Sequence, residues 1–144
     1  MADKTSTNVK IKLRSSILPT EGDAETYEMW LEGQIIVKNE MSYLRYEEVQ
    51  DDKKIQTTIK LTEDRPVIMR SGAVNMRLPL NITQQERGHY DSQYGSIPLI
   101  TKTHEIAILS DETSRTFKTT YDLIIGGNAV GNYTLDIKFM EVEA

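Results

Sequence analysis

The sequence predicts an all-β fold, a single antiparallel up-and-down β-barrel of roughly eight to ten strands. Apolar and polar residues alternate with period two almost from end to end, the pattern of strands with one face in a core. Turn-forming clusters recur every eight to fifteen residues or so, and no stretch carries a convincing helical period. Hairpin after hairpin in simple sequential order is how up-and-down barrels are wired, and closing the sheet removes exposed edges.

Met1 to Asn8 is polar and is expected to be a flexible N-terminal segment, leaving 9–144 as one barrel domain. Val9 to Ser15 alternates Val9, Ile11 and Leu13 with Lys10, Lys12 and Arg14, a strand whose second face meets water. Leu18 to Asp23 carries Pro19 and Gly22 and reads as a loop. The next segment supports two readings. Asp23 could cap a helix bearing Tyr27, Trp30 and Leu31 on one face and stopped by Gly33. The alternation of Tyr27, Met29 and Leu31 continues to Ile35 and Val37, however, which favours one long strand with Gly33 at a kink or bulge.

Met41 to Val49 and Ile55 to Leu61 follow as strands, separated by the charged turn Asp51-Asp52-Lys53-Lys54. Thr62 to Pro66 turns the chain into its central segment. There Val67 and Met69 alternate with Ile68 and Arg70, and Val74, Met76, Leu78 and Leu80 follow after Gly72. Gly72 can take positive φ, so the chain can reverse there and leave Arg70 beside a bend. His89 to Tyr94 is a short aromatic strand. In the strand from Ile97, Leu99, Thr101 and Thr103 share a face, and Pro98 marks an edge or bulge. Phe117 to Ile125, a glycine-rich hairpin loop from Gly126 to Asn132, and Tyr133 to Phe139 complete the pattern.

With 22 acidic and 17 basic residues the chain carries a net charge of −5, which repels nucleic acid unless the basic groups segregate, and they do so only partly. Without cysteine there is no disulfide, thiolate metal site or thiol nucleophile, in keeping with a cytoplasmic location. No apolar run is long enough for a membrane span, and the N-terminus lacks the apolar core of a signal peptide. His89 and His104 are too few and too far apart for a metal site, and no cofactor motif is present. Ser71 lacks the elbow of a hydrolase nucleophile, and Glu47 and Glu48 point to opposite faces of a strand, so they cannot flank one bond.

Val67-Ile68-Met69-Arg70-Ser71-Gly72-Ala73-Val74, together with Tyr43-Leu44-Arg45-Tyr46-Glu47-Glu48, Tyr94-Gly95, Thr101 and Thr103, resembles the YwiB-like family of small bacterial proteins. The resemblance covers Val9 to Phe139. It implies a cytoplasmic, calycin-type (lipocalin-like) β-barrel with no assigned biochemical role. It also implies a strand at Tyr27 to Leu31 and, by analogy to calycins, a ligand in the barrel. It carries over no catalytic residue.

The leading expectation is therefore a non-enzymatic barrel that binds a small, partly apolar and anionic ligand, with Arg70 as the charge anchor. Tyr46, Tyr90, Thr101 and Thr103 are the polar groups expected to converge on it. The alternative is a protein-interaction or oligomerisation module with a packed interior, whose partner would be a second copy in a homodimer.

Overall fold

The structure is a computed structural model and describes residues 4–142. Ten strands form it: β1 (Lys4–Pro19), β2 (Glu25–Lys38), β3 (Met41–Gln50), β4 (Lys53–Lys60), β5 (Val67–Gly72), β6 (Asn75–Pro79), β7 (Glu86–Ser92), β8 (Gly95–Ser110), β9 (Arg115–Ile125) and β10 (Asn128–Glu141). Each pairs antiparallel with the next, and β1 pairs with β10 to close the barrel. The helical reading of Tyr27 to Leu31 thus fails, and the strand reading holds.

Local chemistry sets the hairpins. Asn39-Glu40 and Asp51-Asp52 take positive φ at both positions, the geometry of two-residue turns whose twist matches the flanking strands. Gly126 and Gly127 do the same, so the loop expected over Gly126 to Asn132 is shorter than the glycines suggest, and Asn128 already belongs to β10. At Gly72 φ is +101°, and a Cβ there would meet the Lys54 carbonyl oxygen at 2.5 Å, so the bend after Arg70 requires glycine on two counts.

Two further expectations need correction. Lys4 to Asn8 are not a flexible segment: they pair with Lys38 to Gln34 of β2, because a neighbouring strand supplies hydrogen bonds that a polar sequence cannot announce. Met1 to Asp3, the rest of that segment, lie outside the described residues. Gly33 makes no bulge, since its register with β1 runs through it unbroken and its ladder with β3 starts at it. It is glycine because a Cβ would lie 2.5 Å from the Arg45 carbonyl oxygen and 2.7 Å from Ile11 Cδ1. Pro98, expected at an edge or bulge, does lie at an edge: only β7 pairs with it, since the β9 ladder begins at Leu99.

The core occupies the barrel interior and is built by strand parity. Val9, Ile11 and Leu13 of β1 meet Leu44, Ile59, Leu99, Phe117 and Ile137 there, all buried. A bulge between Thr103 and Glu105 shifts the parity of β8 and turns Ile106 and Ile108 inward. At the end where β4 leads to β5 and β6 to β7, the connecting segments fold inward. Leu61, Pro66, Leu80 and Asn81 are buried, and the Leu80 N–H donates to the Pro66 carbonyl. The opposite end carries the β3–β4, β5–β6 and β7–β8 turns, and polar side chains enter the interior there.

Candidate ligand-binding site

Arg70 lies on the interior face of β5, one position in a row of register partners that crosses six strands. Tyr46 of β3 faces Thr57 of β4, which faces Arg70; Arg70 faces Met76 of β6, which faces Tyr90 of β7, which faces Ile97 of β8. Barrel strands tilt against the axis, so such a row climbs as it goes round. Burial follows the climb. Tyr46 and Thr57 are buried, and Arg70, Met76, Tyr90 and Ile97 are only partly so.

Electrostatics adds the opposite wall. Tyr121 of β9 is buried and stacks on Tyr133 of β10, with ring centroids 5.5 Å apart and planes within 6°. Burial pushes the Tyr46 phenol far above the ordinary tyrosine range; the Arg70 charge draws it partly back, and Glu48 adds to the rise. Burial likewise raises Tyr121, again opposed by Arg70, with Tyr133 and Tyr27 adding to the rise. Tyr133 is raised by burial and by Tyr27. Arg70 therefore acts on phenols from both walls, and among the described residues it makes no ion pair. The result is a guanidinium beside phenols that can donate hydrogen bonds, with the buried Glu48 on the same interior face as Tyr46 and with Met76, the register partner of Arg70, packed against the core.

A pH dependence follows. Both buried phenols titrate higher in the folded than in the unfolded chain, so the folded state holds those protons more tightly. Stability should be fully present below the ordinary tyrosine pKa of about 10 and fall as pH rises past it. Urea midpoints measured across that range, with tyrosinate absorbance followed in parallel, check this. Tyr121→Phe is expected to flatten the alkaline fall.

Of the expected site residues, the structure brings Tyr46 and Tyr90 into the Arg70 row. Thr101 and Thr103 face the same interior but lie toward the inward-folded end, where their hydroxyls serve the backbone. Thr101 donates to the Pro79 carbonyl at 2.5 Å, and Thr103 accepts from the Asn81 N–H at 3.2 Å. These bonds hold the β6–β7 connection in place, and Thr103 is also the register partner of Tyr121 on β9. Sequence reasoning missed Tyr121, Tyr133, Tyr27 and Glu48. Their alternation put the first three on core faces, but nothing in it says which strands stand opposite one another across a barrel.

The remaining polar groups lie elsewhere. His104 Nε2 is 2.8 Å from Asp122 Oδ2, while Asn132 donates to Asp122 Oδ1 at 2.9 Å; these bonds hold the Asp122 carboxyl below its usual range. His89 Nδ1 is 3.4 Å from Asp91. Both pairs lie on the outer surface, and no group of three or more metal-ligating side chains occurs among the described residues. A half-open groove of about 960 Å³ lies at the far end from the tyrosines, lined in part by Val9, Ile35, Val37, Asp111, Arg115 and Phe139. Among the described residues no helix is long and apolar enough to cross a membrane.

A protein family described as "Domain of unknown function (DUF1934)" matches residues 11–137, from β1 into β10. The chain belongs to the DUF1934 family. This DUF1934 protein is also 31% identical over 111 residues to the "Uncharacterized beta-barrel protein YwiB" of Bacillus subtilis (strain 168), covering 77% of this chain and 78% of that one. Its fold is similar to the crystal structure of the ywiB protein from Bacillus subtilis. The TM-score is 0.82 at 27% identity, over 96% of this chain and 94% of the other. The kinship read from the Arg70-Ser71-Gly72 segment and its companions is thereby established, and with it the closed ten-strand barrel.

Proposed function

We propose that this DUF1934 protein is a calycin-like, non-enzymatic carrier or sensor that takes a small, partly apolar anion into the tyrosine-lined end of its barrel. The reading rests above all on Arg70: a partly buried guanidinium with no ion pair among the described residues, facing neutral phenols on two walls. A charge out of bulk water is costly unless it is matched, and an incoming carboxylate or phosphate matches it while the phenols add hydrogen bonds. Burial of the apolar part among Met29, Met76 and Tyr90 supplies the rest of the affinity.

The mechanism is passive, since no residue is assigned a chemical step, and the ligand is a small molecule, with neither nucleic acid nor membrane as partner. The chain's lack of cysteine supports a cytoplasmic setting. Native mass spectrometry of the protein taken directly from cells tests the reading. A retained small anion, lost in an Arg70→Ala variant, is the expected result. A bare chain from every growth condition, together with no uptake of added apolar anions, would overturn it.

A further inference from the structure

The barrel is closed, yet two strands keep a long free edge among the described residues, and that of β2 is the unprotected one. β2 pairs with β1 along Glu25–Lys38 but with β3 only from Gly33 onward. Glu25 to Glu32 therefore have a ladder on one side and none on the other among the described residues, and no other backbone hydrogen bond reaches them. A depression of about 300 Å³ marks the fork where β3 departs, lined by Glu32, Gly33, Arg45, Tyr46 and Glu47 among others. β8 beyond Thr101 is similarly unpaired by β7, but it is blunted by the bulge at His104 and by Asn81, whose N–H is bonded to Thr103. β2 has neither protection. It also exposes Tyr27 and Trp30, the latter 75% accessible with Lys12 Nζ 5.1 Å from its ring centroid.

We propose that this edge is the interface with a second copy of the chain, joined by antiparallel pairing of β2 with β2 about a two-fold axis at Met29. The free segment is self-complementary in that register. Met29 would face Met29 of the second copy and Tyr27 would face Leu31, so every inward-pointing residue meets an apolar one. On the outer face Glu28 would meet Trp30 and Thr26 would meet Glu32, so no two glutamates stand opposed. Centring on Glu28 or on Trp30 instead sets Glu28 against itself or against Glu32, which is unfavourable. The Met29 register pairs Thr26 through Glu32 and stops at Gly33, where β3 takes over the edge. A two-fold axis makes the contact self-limiting, so it yields a dimer and not a fibre.

The chain has no cysteine, which makes a thiol scan clean. Tyr27→Cys, Met29→Cys and Leu31→Cys are each oxidised under mild conditions, alone and in mixtures. Residues directly opposed have Cβ atoms about 5 Å apart, close to disulfide reach, whereas Leu31 and its own copy would be four positions apart, roughly 13 Å. The expected result is dimeric mass by light scattering of the unmodified protein, with covalent dimer from Met29→Cys alone and from the Tyr27→Cys and Leu31→Cys mixture. Tyr27→Cys or Leu31→Cys alone should give little. If an inward thiol unfolds the barrel, a mixture of Glu28→Cys and Trp30→Cys reads the same register from outside. Monomeric mass at tens of micromolar, or cross-linking that ignores position, would overturn the proposal.

Discussion

Arg70→Ala is expected to leave the barrel folded while weakening the binding of an apolar anion by roughly 10- to 100-fold, the equivalent of one or two charge-assisted hydrogen bonds. A suitable probe is anilinonaphthalene sulfonate, whose fluorescence reports entry into an apolar site. Stability should hold or rise, because a partly buried charge that makes no ion pair among the described residues costs desolvation that alanine removes. Arg70→Lys should fall between the two, keeping the charge and losing the planar fork. Tyr46→Phe should lose less, since it deletes one neutral donor. Unfolding of Arg70→Ala, or dye binding that ignores it, would make the residue a structural element of the Gly72 bend.

The largest loss of stability is expected at Phe117. Its ring is fully buried between Ile108 of β8 and Ile137 of β10, its register neighbours on either side. Truncation to alanine should cost about 3–5 kcal/mol, the lost transfer energy plus a cavity that a closed sheet cannot collapse around. Domains of this size are stable by roughly 5–15 kcal/mol, so the urea midpoint should fall by about a fifth or more. Leu109→Ala, a similar deletion at an exposed position of β8, should stay within about 0.5 kcal/mol of the parent. A Phe117→Ala midpoint equal to that control would contradict the packed interior.

Strand parity made most of the fold legible. Tyr27, Met29 and Leu31 kept their alternation past Gly33, and that continuity separated strand from helix where local propensity could not. Parity also told apart Glu47, which is exposed, from Glu48, which is buried. It says which face a residue takes but not how far along the barrel it lies. Thr101 and Thr103 share their face with Leu99, and so does Tyr121, the register partner of Thr103, yet parity does not say that the backbone claims both threonine hydroxyls. Alternation puts Tyr121 on one face with Phe117 and Leu123, but its place across from Arg70 depends on the stagger at which ten strands close, a property of the whole ring. The pairing of Lys4 to Asn8 was invisible for a related reason: those residues are ordered by what β2 offers them, and little in their own side chains requests it.

The ladder between β1 and β10 joins Val9 to Glu141 and Pro19 to Gly131, so the first strand finds its second neighbour only after the other eight have been made. During synthesis on the ribosome the growing sheet must wait, unsealed, until that final partner emerges. Such distant contacts slow folding, because the loop-closure entropy is lost before the new pairing returns any energy. Joining the two ends by a short linker and cutting the chain at the Asn39-Glu40 turn would turn this most remote ladder into a local hairpin, leave the shorter β2–β3 ladder to seal the ring, and so should speed refolding.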